Sequence, residues 1–109
     1  MSEAFLMTTA VTPEIVVEIT LLQTEVGGRK SPILQGEYRG VLGVGEEHFS
    51  VRLFVPLEDG IAPGQVQQFG VQFLVPQAAL PHFPIGVSFT LWEGRVIGHG
   101  QVIEVLRRV

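Results

Sequence analysis

Three histidines, His48, His82 and His99, are the first candidates for metal or acid–base chemistry. No two of them stand at ligand spacing, and the chain has no cysteine to complete a set. They read as separate loop or surface residues, including His99 between its two glycines. Asp59 is the only aspartate and falls in an expected Glu58-Asp59-Gly60 turn. A Ser-His-Asp triad would have to recruit it with Ser31, Ser50 or Ser88, and none of these lies on a nucleophile elbow. Glu46 and Glu47 are adjacent, so an extended backbone aims them at opposite faces as solvated charges. No G-x-x-x-x-G-K-[ST] loop is present to cradle a nucleotide phosphate. The expectation is a protein that is not an enzyme and needs no cofactor, metal or nucleotide.

The remaining chemistry is recognition. Arg29, Lys30, Arg39 and Arg95 are the best candidates for a basic patch, set against the ordinary use of cations to keep strand ends soluble. The chain has one lysine, Lys30, and a net charge of −4, the wrong sign for a nucleic-acid footprint. Trp92 lies beside the Glu93-Gly94 turn, either as packing at a barrel rim or as the anchor of a contact.

A length of 109 residues gives one domain with a core large enough to stand without staples. An apolar fraction of 46% with 17% charged residues excludes a disordered chain. No apolar run reaches the roughly 18 residues of a membrane helix. Glu3 stands where a secretion signal carries positive charge. These features, with the lack of cysteine, lead to the expectation of a soluble, cytoplasmic protein.

The elements that must position these residues read as strands. Ile15 to Leu22 alternates and is β-branched, following a loose arm over residues 1–14; residues 15–109 are expected to form the domain. A Gly27-Gly28 turn leads through Pro32 into a short strand, and Tyr38 to Val44 is a further extended piece interrupted by glycines. Phe49, Val51, Leu53 and Val55 share one face, as do Phe69, Val71, Phe73 and Val75, and Val87, Phe89 and Leu91. Phe54, Leu74 and Trp92 take the opposite parity, which predicts an outward apolar patch. Residues 76–84, with three prolines, read as a loop. The closing hairpin runs over Val87–Leu91 and Val96–Val105, with Gly98 and Gly100 marking a bulge, a bend or a close approach of backbone. Short strands with Gly/Pro turns and no sustained 3.6-residue period argue for an all-β barrel or sandwich.

Over residues 15–106 the chain resembles the C-terminal β-barrel domain, domain III, of translation elongation factor Tu. The likeness is carried by the first strand, Val16-Val17-Glu18-Ile19-Thr20-Leu21-Leu22, and by Gly27-Gly28-Arg29-Lys30-Ser31-Pro32. Tyr38-Arg39 after Gly36, Pro63-Gly64-Gln65 and Val71-Gln72-Phe73-Leu74-Val75-Pro76 follow in the same order. Phe89-x-Leu91-x-Glu93-Gly94 and Arg95-Val96-Ile97-Gly98-His99-Gly100 complete it. The resemblance implies a small closed antiparallel β-barrel, here without the GTPase domain.

In that family the barrel packs against the GTPase domain and helps to hold the T-arm of aminoacyl-tRNA. The resemblance therefore implies a binding module whose surface includes Arg29, Lys30, Tyr38, Arg39, Glu93 and Gly94; Arg95 from the basic patch and Trp92 as a contact anchor complete the candidate site. Two partner classes follow. The first is a protein partner, or another copy of the chain in a homo-oligomer. The alternative is weak RNA or tRNA contact through Arg29, Lys30, Tyr38 and Arg39. Glu37, Glu46 and Glu47 oppose phosphate near those cations, and Trp92 replaces a family arginine. The first class is therefore preferred.

Overall fold

Ile15, Val17, Ile19 and Leu21 stand at alternate positions, and all four are buried. That is the period of a strand with one face in a core, and these residues form β1 (Ile15–Leu21). The computed structural model describes residues 12–55 and 60–107. Five more strands follow: β2 (Gly36–Val44), β3 (Glu47–Val55), β4 (Val66–Phe73), β5 (Ser88–Trp92) and β6 (Val96–Val105). All pairings are antiparallel, and the sheet closes as β1-β4-β3-β2-β5-β6, with β6 returning to β1. The all-β, small closed barrel expected from the sequence is the fold that forms.

Closure places alternate residues of every strand inside. Val51, Leu53 and Val55 of β3, Phe69, Val71 and Phe73 of β4, and Phe89 and Leu91 of β5 are buried as the alternation predicts. Two connections cross the barrel ends. The segment 22–35 crosses one end from β1 to β2, with a 3-10 turn over Thr24–Val26. The segment 74–87 crosses the other. It contains α1 (Pro76–Ala79) and a 3-10 turn over Leu80–His82, where a proline-rich loop was expected. Pro76 opens α1, the position where a missing N–H costs nothing. Phe83, wholly buried, plugs this end against Phe49, Phe73 and Phe89.

Gly98 and Gly100 lie inside the β1–β6 ladder, opposite Leu21 and Ile19. A Cβ on Gly100 would sit 2.2 Å from the Glu18 carbonyl oxygen and 2.9 Å from Phe89 Cζ. At Gly98 it would sit 2.9 Å from the Thr20 carbonyl oxygen. Both glycines therefore serve close approach of backbone. The register shifts fall elsewhere, between Val16 and Val17 and between Leu91 and Trp92.

Four further expectations change. Residues 29–34 form no strand; only a single bridge joins Ile33 to Ile61. Gly40 and Gly43 do not interrupt β2, which runs unbroken for nine residues because β3 pairs with it throughout. Val75 is 60% exposed, since β4 ends at Phe73 and the chain turns before Pro76. Phe54 is only 5% exposed, so the outward patch of Phe54, Leu74 and Trp92 does not form as expected. Parity puts a side chain outside the barrel, but it does not decide what else covers it.

Residues 1–11 of the expected arm and the Glu58-Asp59 turn lie outside the described residues. Glu14 is built into the barrel, with its side chain 3% exposed. Its Oε1 accepts a hydrogen bond from the Phe73 N–H at 2.8 Å, and Arg107 Nη1 reaches Oε2 at 3.2 Å. Its carbonyl accepts the N–H groups of Leu106 and Arg107. No helix among the described residues is long and apolar enough to cross a membrane.

Candidate binding surface at the barrel end

The end crossed by residues 22–35 brings together Arg29, Tyr38, Glu93 and Arg95. The crossing begins with a tight local structure. Gly28 N–H bonds the Gln23 carbonyl, and the Thr24 hydroxyl bonds the Arg29 carbonyl at 2.6 Å. Gly27 takes φ of +100°, and a Cβ on Gly28 would lie 2.1 Å from the Leu22 carbonyl oxygen. The Gly-Gly pair is thus required by the turn that delivers Arg29.

Tyr38 has the inward parity of β2 and packs on the edge of the core. Its hydroxyl donates to Glu93 Oε2. Arg29 stands beside both, with Nε 3.4 Å from Glu93 Oε1 and the guanidinium carbon 5.8 Å from the centre of the Tyr38 ring. Burial, then the hydrogen bond and charge of Glu93, hold the Tyr38 hydroxyl protonated far above the ordinary tyrosine range, against a smaller opposing effect of Arg29. A hydroxyl held in this way is a structural donor, not an acid or a nucleophile at neutral pH.

Arg95 follows the tight turn closed by the Glu93 N–H on the Arg95 carbonyl, with Gly94 at φ +74°. It reaches back to the Gly-Gly turn, Nε to the Gly27 carbonyl at 3.0 Å and Nη2 to the Gly28 carbonyl at 3.1 Å. Two arginines therefore lace the crossing segment to the β5–β6 turn.

The other residues of the sequence-derived site lie apart from this knot. Arg39 is on the outer face of β2, its side chain 74% exposed, and pairs with Glu37 two residues earlier at 3.0 Å. Arg52, the β3 residue directly opposite Arg39, approaches the same carboxylate at 3.7 Å. Lys30 is exposed. Trp92 is half-buried on the outer face, where its indole N–H donates to Thr90 Oγ1 at 2.7 Å and its ring meets His48 edge-on at 4.9 Å. It lies close over Gly43, where a Cβ would come 2.8 Å from Trp92 Nε1. Trp92 is thus packed on its own sheet.

Of the residues named from the sequence, the structure brings Arg29, Tyr38, Glu93 and Arg95 together and leaves Lys30, Arg39 and Trp92 apart. The Glu37–Arg39 spacing places both on one strand face, a signal that was legible. The approach of Glu93 to Tyr38 and Arg29 depends on closure of the barrel and had no local signal. No group of three or more His, Asp or Glu residues able to hold a metal occurs among the described residues. No protein-family model matches the chain, and no curated protein matches it.

Proposed function

We propose that this chain is a non-enzymatic binding module that contacts a protein partner or itself, acting in the cytoplasm and resembling the C-terminal barrel of elongation factor Tu. Support for the likeness is the ordered set of matching motifs together with a closed six-strand barrel. One observation favours protein over RNA. Two of the three cations at the positions implied for tRNA contact are engaged within the chain, Arg29 by Glu93 and Arg39 by Glu37. An arginine that must leave an ion pair to meet a phosphate gains less from the exchange, and the net charge of −4 adds a repulsive field.

The alternative, RNA contact through Arg29, Lys30, Tyr38 and Arg39, draws on the exposure of Lys30 and Arg39. Fluorescence anisotropy with labelled tRNA at about 150 mM salt separates the two. Weak or absent binding is expected. Submicromolar binding that falls steeply with salt and is lost in Arg29→Glu would replace the protein-contact reading with the RNA one.

A further inference from the structure

The barrel is closed, but one of its seams is paired over only part of its length. β2 spans nine residues and pairs with β3 at every one, from Gly36↔Val55 to Val44↔Glu47. On its other side it meets β5 only at Val41↔Trp92, Leu42↔Leu91 and Gly43↔Thr90. Beyond Val41 the chain of β5 turns away into Glu93-Gly94-Arg95, and residues 36–40 extend past it.

Antiparallel ladder geometry fixes which groups this leaves open. The two-residue turn Gly45-Glu46 makes Val44 and Glu47 a hydrogen-bonded pair, so the even residues of β2 point their N–H and C=O at β3. The odd residues point at β5. Val41 and Gly43 find partners there, whereas Glu37 and Arg39 do not. Among the described residues, no backbone hydrogen bond joins Glu37 or Arg39 on that side. An exposed strand edge of this kind is a template for a further strand.

The side chains on this edge select its occupant. Glu37 and Arg39 are exposed neighbours on the outer face, with opposite charge. An antiparallel strand from a second copy, centred on Tyr38 opposite Tyr38, sets Glu37 against Arg39 and Arg39 against Glu37. The same register makes both of these hydrogen-bonded pairs, giving four backbone bonds. A register centred on Arg39 would set two arginines face to face, and one centred on Glu37 two glutamates, and like charges directly opposite are destabilising. The edge is therefore complementary to itself in one register, as a two-fold contact requires.

We infer that the chain self-associates through the Gly36–Gly40 edge of β2, in a two-fold antiparallel pairing matched by Glu37 and Arg39. This deepens the protein-contact reading above and rests on it. The ladder is short, so the association is weak and appears at high protein concentration.

Analytical ultracentrifugation of the whole chain and of two charge variants tests it. The wild type is expected to move from monomer to dimer with rising concentration. Glu37→Arg and Arg39→Glu each place two like-charge pairs across the contact and should weaken the dimer at least tenfold. Mixing the two variants restores opposite charges at both positions, so a heterodimer should form where neither variant alone dimerises. That restoration also shows that neither variant has merely lost its fold. A strictly monomeric wild type, dimers unaffected by either reversal, or variants that fail to pair on mixing would each overturn the inference. A monomeric wild type leaves a different protein partner standing. A monomeric wild type with salt-sensitive tRNA binding removes the protein-contact reading as well.

Discussion

The Tyr38 hydroxyl donates to the Glu93 carboxylate, joining β2 to the β5–β6 turn at the level where the ladder between β2 and β5 has ended. A single side-chain bond thus bridges the seam there, while the backbone groups of Glu37 and Arg39 stay unpaired on that side among the described residues. Arg29, from the crossing segment, and Arg95, from the β5–β6 turn, reinforce the same junction.

Tyr38→Phe removes the hydroxyl while keeping the ring on the core edge. The loss expected is about 1 kcal/mol, the net worth of one partly exposed hydrogen bond. Glu93→Gln should cost a similar amount, because the amide keeps an acceptor but gives up the charge beside Arg29. Urea unfolding of both variants checks this. If Tyr38→Phe matches the wild type, the bond contributes nothing to the fold.

The ionisation of Tyr38 offers a direct optical test, since it is the chain's only tyrosine. The folded protein holds the phenolic proton where the unfolded chain releases it near the ordinary value of about 10. The folded state then binds more protons than the unfolded one above that pH. The stability linked to Tyr38 is accordingly complete below about pH 10 and is lost as the pH rises beyond it. Phenolate absorbance should stay low through the ordinary tyrosine range and rise only when the protein unfolds. A normal titration curve with the fold intact would contradict the contact with Glu93.

Gly100→Ala is expected to be more damaging than Gly98→Ala. The first places a methyl group 2.2 Å from a backbone oxygen, the second 2.9 Å from one. Overpacking of this kind costs about 1–3 kcal/mol, and Gly100→Ala should lie at the upper end. Thermal melts of the pair give the order, and equal melting temperatures would refute the close approach of β1 and β6.

Gly43→Ala should displace Trp92, the chain's only tryptophan. The added Cβ would lie 2.8 Å from the indole nitrogen and 2.9 Å from Thr90 Oγ1. The indole loses its bond to Thr90 and moves towards water, so its emission should shift to longer wavelength while the fold is kept. Unchanged emission would mean that Trp92 is not seated on Gly43.

Glu14→Ala leaves the Phe73 N–H without its acceptor in a buried place and should cost about 1–3 kcal/mol. Arg107→Ala removes a half-exposed cation from a buried carboxylate that keeps its bond from the Phe73 N–H, and should cost less than Glu14→Ala. Comparison of the two by denaturant titration shows whether the carboxylate acts through the backbone or through the salt bridge.

Strands with strict alternation were legible because one buried face imposes a period of two: Ile15/Val17/Ile19/Leu21 and Val51/Leu53/Val55 are examples. Gly40 and Gly43 concealed the continuity of β2, because local propensity disfavours glycine in strands and only the full pairing with β3 overrides it. The turn of helix at Pro76 was hidden by a run of prolines that reads locally as loop. The burial of Phe54 had no sequence signal, since a period of two distinguishes faces without measuring their cover. At the candidate site the residues were named from ordered motifs. The partnership of Arg29, Tyr38 and Glu93 was not, because it joins segments that become neighbours only when the barrel closes.

The clasp at Glu14 has a topological consequence. Its carbonyl bonds the amides of residues 106 and 107, so the two ends of the described chain touch. A short linker from residue 107 to residue 12 would turn the polypeptide into a ring, and the ring could be reopened at the two-residue turn Gly45-Glu46. Such a circular permutant should keep the same strand order around the barrel. The contact also means that this barrel can sit within a loop of another polypeptide, entered and left at one point.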